Sequence, residues 1–391
     1  MKKVLFISEQ IPFRQNAGHR VRIFNLLRCL EGSVQLHCVS LEAVEPSSCE
    51  LDIKCELHHV RLQRPKLLKS FANLWRRLMP YASERKAINQ LIDLVTPDVV
   101  WLEFGFLGHL IPMIRRKEIP VVMSTHNVES YLYQMEWLKS FSAFQRIVRL
   151  PFLALNRFHE RYFFRLADKV VAISEKDCMY YRHFIPEGRL SVVPNFRIND
   201  FGAVPKLEAP SPYLCIVGSL GAFQNYQGVV YFVQSVWPRL KLRYPELLLY
   251  IVGAPPRQDT PQATALRDLA TGSPGVIMTG EVDSTIPYVK GAIASVVPIF
   301  DGSGTRTKVV ESVACGVPVV STTIGAEGLP FENGQSILIA NSVQSFVDSL
   351  VALIENPELG ESIAARAYKL YEKDLGYEAN KARLELLLGV R

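Results

Sequence analysis

The chain has 391 residues, more than one ordinary hydrophobic core holds, so two domains are expected. Hydrophobic residues make up 48% and charged residues 21%, which fits a folded protein and excludes a disordered one. The net charge of +6 is uneven: residues 1–200 carry 29 Lys and Arg against 20 Asp and Glu, and residues 201–391 carry 15 against 18, so an acidic partner is expected on the first half.

The chain opens on Met1-Lys2-Lys3 and the apolar run VLFIS, but Glu9, Arg14 and Arg20 leave that run too short for a signal peptide. No apolar run of about 18 residues follows, so no transmembrane helix is expected and the reading is cytoplasmic. Cys29, Cys38, Cys49, Cys55, Cys178, Cys215 and Cys315 form no CxxC pair and no zinc spacing, which reads as reduced thiols.

Short β-branched apolar runs then alternate with longer amphipathic stretches. Lys3–Ser8, Gln35–Leu41, Val99–Glu103, Pro120–Thr125, Lys169–Ile173 and Leu190–Pro194 read as buried parallel strands, with helices such as Gly18–Leu30 and Phe152–Leu166 between them. Val204–Pro212 has three prolines in nine residues and reads as a linker. After it the alternation restarts with Tyr213–Gly218, Leu247–Val252, Val276–Thr279, Ala294–Pro298, Pro318–Ser321 and Ile337–Ala340. The expected fold class is α/β, two Rossmann-like doubly wound domains facing a cleft. Ligands bind such sheets outside the carboxyl ends of the strands.

The most informative segment is Asp301–Ala326, DGSGTRTKVVESVACGVPVVSTTIGA. A strand ends, then Gly302, Ser303, Gly304 and Thr305 turn into a helix, with Arg306, Thr307 and Lys308 at its start. Free backbone N–H groups, the positive end of the helix and two cations make a cradle for a diphosphate. Glu311, further into the helix, is placed to accept hydrogen bonds from ribose hydroxyls. The competing reading is a helix start with solvated charges.

This segment resembles the C-terminal signature of glycosyltransferase family 4, retaining enzymes of the GT-B fold that use nucleotide-sugar donors. The resemblance extends through Val217–Gly228 and Val282–Pro287 to the N-terminal strand and loop. The family's usual Glu-x7-Glu is altered: Glu311 matches the second Glu, and Ser303 stands at the first. This is the GSGTR-x-K branch of the pattern. An Arg and a Lys that many members carry after the first strand of the second domain are here Ser219 and Gln227. The resemblance therefore assigns the diphosphate to Arg306 and Lys308. It assigns further donor contacts to Gly18, Gly218, Ser219, Leu220, Gly280 and Val282, with Ser303, Gly304, Thr305, Thr307 and Glu311 in the cradle.

In the first domain, Gln15–Arg22 follows the first strand, and its lack of GxGxxG argues against a dinucleotide cofactor. Arg20 and Arg22 either meet an acceptor phosphate or lie solvated on a helix. Thr125–Glu129 follows a buried strand. The resemblance implies His126 beside the donor sugar's reacting carbon, stabilising an oxocarbenium-like transition state, with Asn127 and Glu129 on the acceptor side. No Asp-x-Asp motif is present, so neither a metal nor a cofactor is expected; the family implies front-face substitution with retention.

Basic and aromatic residues concentrate in 61–90 and 139–169. These are either ordinary helices with basic outer faces or surfaces that lie on an anionic membrane. No nucleic-acid motif accompanies the charge. The expected organisation is an acceptor-binding domain at 1–203, a linker at 204–212, a donor-binding domain at 213–370 and a helix at 371–391 crossing back to the first domain. The expected activity is transfer of a hexose, UDP-glucose first, to a glycan or lipid-linked glycan in polysaccharide assembly. The setting is cytoplasmic, with peripheral attachment to the inner membrane face as an option. A nucleotide-sugar epimerase and a non-catalytic nucleotide-sugar binder are the alternatives.

Overall fold

The computed structural model describes residues 1–9, 18–41, 52–60, 78–140, 143–198, 201–258, 260–301 and 307–390. Two compact units emerge: Met1–Pro194 with Asn380–Arg391, and Asn195–Ala379. Ser303, Gly304, Thr305 and Arg306 lie outside the described residues, as do Gln15–Ala17 and residues 61–77 of the basic segment.

The first unit is built on parallel strands β1 (Lys3–Ser8), β2 (Gln35–Ser40), β3 (Glu56–His59), β4 (Val99–Glu103), β5 (Val121–Ser124), β6 (Lys169–Ala172) and β7 (Leu190–Val192). Their order in the sheet is β3-β2-β1-β4-β5-β6-β7. Val4, Leu5, Phe6 and Ile7 of β1 are all fully buried. That follows from a position at the centre of a sheet with helices on both faces, where both side-chain directions leave water. Helix Gly18–Leu30 returns from β1 to β2, burying Ile23, Leu26, Leu27 and Leu30.

The second unit repeats the plan with β8 (Tyr213–Val217), β9 (Leu248–Val252), β10 (Val276–Gly280), β11 (Ala294–Val297), β12 (Val319–Ser321) and β13 (Leu338–Ile339), ordered β10-β9-β8-β11-β12-β13. All pairs are again parallel. Relabelled from its own first strand, each sheet begins 3-2-1-4-5-6, the dinucleotide-fold order.

Three local readings change. Strand β3 was not anticipated, because ELHH has no apolar run; it forms by pairing with β2, His37 opposite Glu56. The helix read as Phe152–Leu166 is Ala143–Phe164 and runs through Pro151, a residue that from sequence marks a helix start rather than an interior. The proline-rich 204–212 segment, read as a linker, belongs to the second unit. Leu207 N donates to Pro287 O at 2.8 Å, and Lys290 Nζ donates to Phe201 O and Val204 O at 2.9 and 2.7 Å. Division falls at Pro194/Asn195 instead.

At the carboxyl end, Asn380–Arg391 groups with the first unit. There Ser33 Oγ donates to Glu385 Oε1 at 2.6 Å and Lys2 Nζ to Leu388 O at 2.7 Å. The described cysteines carry no disulfide. No described helix is long and apolar enough to cross a membrane.

Candidate active site

In each sheet the chain starts at the centre, winds outward one way, then crosses to the other side. That reversal falls between β1 and β4 in the first unit and between β8 and β11 in the second. Helices on either side of a reversal diverge, leaving a crevice at the strands' carboxyl ends.

At the first reversal, β4 ends on Glu103, which is fully buried. Trp101 Nε1 donates to its Oε2 at 2.7 Å. His126 Nε2 lies 2.7 Å, and Arg22 Nε 3.5 Å, from its Oε1. Arg22 also donates from Nη1 to Val193 O and Pro194 O at 3.0 and 3.2 Å, and its Nη2 reaches Ser124 Oγ at 3.5 Å. This corrects the sequence expectation for Arg22. It is neither solvated nor aimed at an acceptor phosphate; it is a buried cation that fixes Glu103. Arg20, on the same helix, is half-buried, and Gly18 is that helix's first residue.

Burial by itself would raise the Glu103 carboxyl, but His126, Arg22 and Trp101 outweigh it and hold it below the ordinary value. Burial lowers His126, more than the Glu103 contact raises it. The ring is therefore neutral near pH 7, beside an ionised carboxylate. Phe104 follows Glu103 with φ of 92°, a left-handed value rare for an aromatic residue, and stacks on His126 with ring centroids 4.1 Å apart. Backbone strain of this kind persists only where the surroundings over-determine it, and it clusters at functional sites. Glu103 and Phe104 were missed as site residues, because a Glu ending a strand and a Phe after it carry no local signal.

His126 follows β5, as expected. Asn127 O accepts from Tyr181 Oη at 3.2 Å, and Glu129 opens helix Glu129–Ser140. Behind them a buried Glu160 accepts from Ser130 N at 3.2 Å, from Ser130 Oγ, and from Tyr180 Oη at 3.2 Å. Burial pushes the Glu160 carboxyl up.

At the second reversal, β8 ends at Gly218, whose φ of 151° favours glycine. A Cβ there would lie 3.0 Å from Lys308 Nζ and 2.9 Å from Asn225 Nδ2. Lys308 sits on helix Thr307–Ala314, and its Nζ donates to Asn225 Oδ1 at 2.6 Å. Asn225 Nδ2 in turn donates to Ser219 O at 2.8 Å. Lys308 is thus brought to the strand end where Ser219 replaces the family's Arg. Asn225, which has no motif of its own in the sequence, helps to hold it there. Gly228 is needed for close packing: its Cβ would fall 2.1 Å from Pro298 O, after β11.

Glu311 accepts from Thr285 Oγ1, and its Oε2 lies 3.8 Å from Arg197 Nε. Leu220 is buried, with its N–H bonded to Ala254 O at 2.8 Å. Gly280 has φ of 74° with open space where a Cβ would point, and Val282 packs beside the Tyr213–Cys215 cluster. Thr307 and Lys308 are half-buried, while Ser219 is exposed.

Two parallel sheets of the dinucleotide-fold order make up the chain. The model of Glycosyltransferase Family 4 matches residues 16–197, and that of Glycosyl transferases group 1 matches residues 211–356. The chain belongs to this glycosyltransferase family and is an enzyme of that class. A Klebsiella pneumoniae protein described as an uncharacterized 44.6 kDa protein in the cps region is 20% identical over 388 residues, covering 97% of this chain and 98% of that protein. Among solved structures, sucrose-phosphate synthase from Thermosynechococcus elongatus has a TM-score of 0.73 at 15% identity, covering 100% of this chain and 98% of the other. Anabaena HepE in complex with UDP has a TM-score of 0.71 at 14% identity, covering 100% of both.

Proposed function

We propose that this chain is a retaining hexosyltransferase. It takes a nucleotide diphosphate sugar, UDP-glucose first, and delivers the hexose to a glycan or lipid-linked glycan with no metal at the reaction centre. The observation that carries this reading is Lys308, held by Asn225 against Gly218 at the end of β8. A cation there neutralises charge on a departing diphosphate, and Gly218 lets that diphosphate approach the backbone. Uridine is favoured because the Anabaena HepE structures hold UDP and UDP-glucose.

In the reaction, the acceptor hydroxyl oxygen bonds to the anomeric carbon as the bond from that carbon to the diphosphate oxygen breaks. The electron pair stays on the diphosphate, which also receives the hydroxyl proton, so no separate protein base is required. Lys308 and Arg306 stabilise the leaving group, Glu311 accepts from ribose, and the Gly280–Val282 loop meets the base. On the first unit, neutral His126, clamped by Glu103 and Phe104, hydrogen-bonds the donor sugar.

Purified protein given UDP-glucose and a panel of glycan and lipid-linked acceptors, with EDTA present, should release UDP together with glycosylated product. Binding without either product would make it a sensor, and an altered sugar nucleotide without UDP release would make it an epimerase.

A membrane surface completes the proposal. On helix Ala143–Phe164, Phe144 and Ile147 are 76% and 72% exposed, next to Val148, Leu150 and the exposed Arg149. Exposed apolar residues beside arginine suit an anionic lipid surface, where a lipid-linked acceptor is delivered. In vesicle flotation, wild type should float with anionic vesicles, and Phe144→Ser/Ile147→Ser should not. Flotation of both proteins, or of neither, refutes it.

A further inference from the structure

At the edge of the first sheet, the side chains of His37, Glu56 and His58 converge. His37 lies on β2 and pairs in register with Glu56 of β3. His58 follows two residues after Glu56, so the pleat puts all three on one face. His37 Nδ1 is 3.2 Å from His58 Nε2 and 3.3 Å from Glu56 Oε2, and His58 Nε2 is 3.8 Å from Glu56 Oε1. The two rings stack with centroids 5.4 Å apart. The His37 and His58 side chains are 6% and 11% exposed, while Glu56 is 62% exposed.

These separations match the edges of a metal polyhedron. Zinc binds imidazole nitrogen and carboxylate oxygen at about 2.0–2.2 Å with tetrahedral angles, which sets ligand atoms about 3.3–3.5 Å apart. Two nearly buried imidazole nitrogens that face each other at such a distance share either one proton or one metal ion. The exposed carboxylate supplies negative charge and an entry side, and a water would complete a four-coordinate set.

We propose that His37, Glu56 and His58 form a binding site for a divalent transition metal, zinc in the first instance. Such a site would staple the edge strand β3 to β2. Glu56 lies opposite His37 and His58 opposite Val39, so the site sits on the edge strand, with β2 and β1 between it and the β1/β4 reversal. The proposed sugar chemistry uses residues at that reversal and in the second unit. The metal is therefore structural and takes no part in transfer.

The full chain, stripped with chelator, is titrated with Zn²⁺ against a chromophoric competitor. One equivalent should bind. His58→Ala should weaken binding by more than the roughly 10–100-fold that losing an outer-shell partner costs. Glu56→Gln, at an exposed position that keeps the fold, should weaken it as well. Co²⁺ in place of Zn²⁺ should give tetrahedral d–d bands without a thiolate charge-transfer band. Failure to bind one equivalent, unchanged affinity in either variant, or a thiolate band that moves the metal to Cys38 or Cys55 would each overturn the site. Zinc should also raise the melting temperature of wild type and not of Glu56→Gln, whatever the transferase assay shows.

Discussion

The two units share one strand order yet equip their reversals differently. At the end of β4 the first unit buries a closed set of charges: Glu103 held by Trp101, His126 and Arg22. At the end of β8 the second unit places a half-buried lysine on a glycine edge, where its Nζ donates to the Asn225 amide. The first arrangement is rigid, because a buried ion needs every partner it has. The second is less enclosed: Lys308 and Asn225 are only half-buried. Topology made two equivalent reversals; side chains made one a buried charge cluster and lined the other with a half-buried cation, which the proposed function reads as the diphosphate site.

Substitutions should expose this contrast, the largest effect coming from the buried cluster. Glu103→Ala removes the buried carboxylate that faces Arg22 and His126 in the interior, and should cost about 3–5 kcal/mol in denaturant unfolding. A loss below about 1 kcal/mol would mean that the charges there are solvated. At the second reversal, Lys308→Ala should cut turnover by about 10²–10³-fold, the usual cost of one preorganised donor to a developing anion. Its melting temperature should barely move, since Lys308 is half-buried and binds a side chain that can turn to water. A variant at full speed would remove Lys308 from catalysis.

Asn225→Ala sharpens the same point, because it releases Lys308 without deleting the charge. Its turnover should fall less than that of Lys308→Ala, and the double variant should be no worse than Lys308→Ala alone. Additive losses would show that Asn225 acts independently. The smallest effect is the pH dependence of stability. The folded pKa values of His126 and Glu103 both lie below their ordinary values of 6.5 and 4.5. In each case the unfolded chain binds protons first as pH falls. The contribution of these two groups to stability should thus be level above about pH 6.5 and decline below it, more steeply below about pH 4.5. In His126→Gln the upper part of the measured decline should become shallower, the remainder coming from His37, which burial also lowers. A profile identical to wild type would show that the ring titrates freely.

Much of the fold is legible along the chain. Lys3–Ser8 and Val99–Glu103 are read from sequence with the bounds the structure gives them. They are continuous apolar runs, and burial on both faces demands that pattern. β3 escaped because its four residues, ELHH, are polar and owe their conformation to the neighbour β2. The site was legible only where a motif is local. Gly218 and Lys308 stand out in their own segments, and His126 stands out after a buried run. Arg22 looked like a phosphate ligand because nothing near it in sequence announces Glu103.

What the sequence by itself determined is the order of strands and helices, since hydrophobic periodicity and glycine punctuation act over a few residues. From that order come the α/β class and the repeated plan. What only the tertiary structure decided is which charges meet. Arg22 reaches Val193 across 171 positions and Lys308 reaches Asn225 across 83. His37 faces His58 only because β3 adds to the sheet edge in one register. Such pairings depend on crossover, register and burial together, and no local pattern in the chain encodes any one of these.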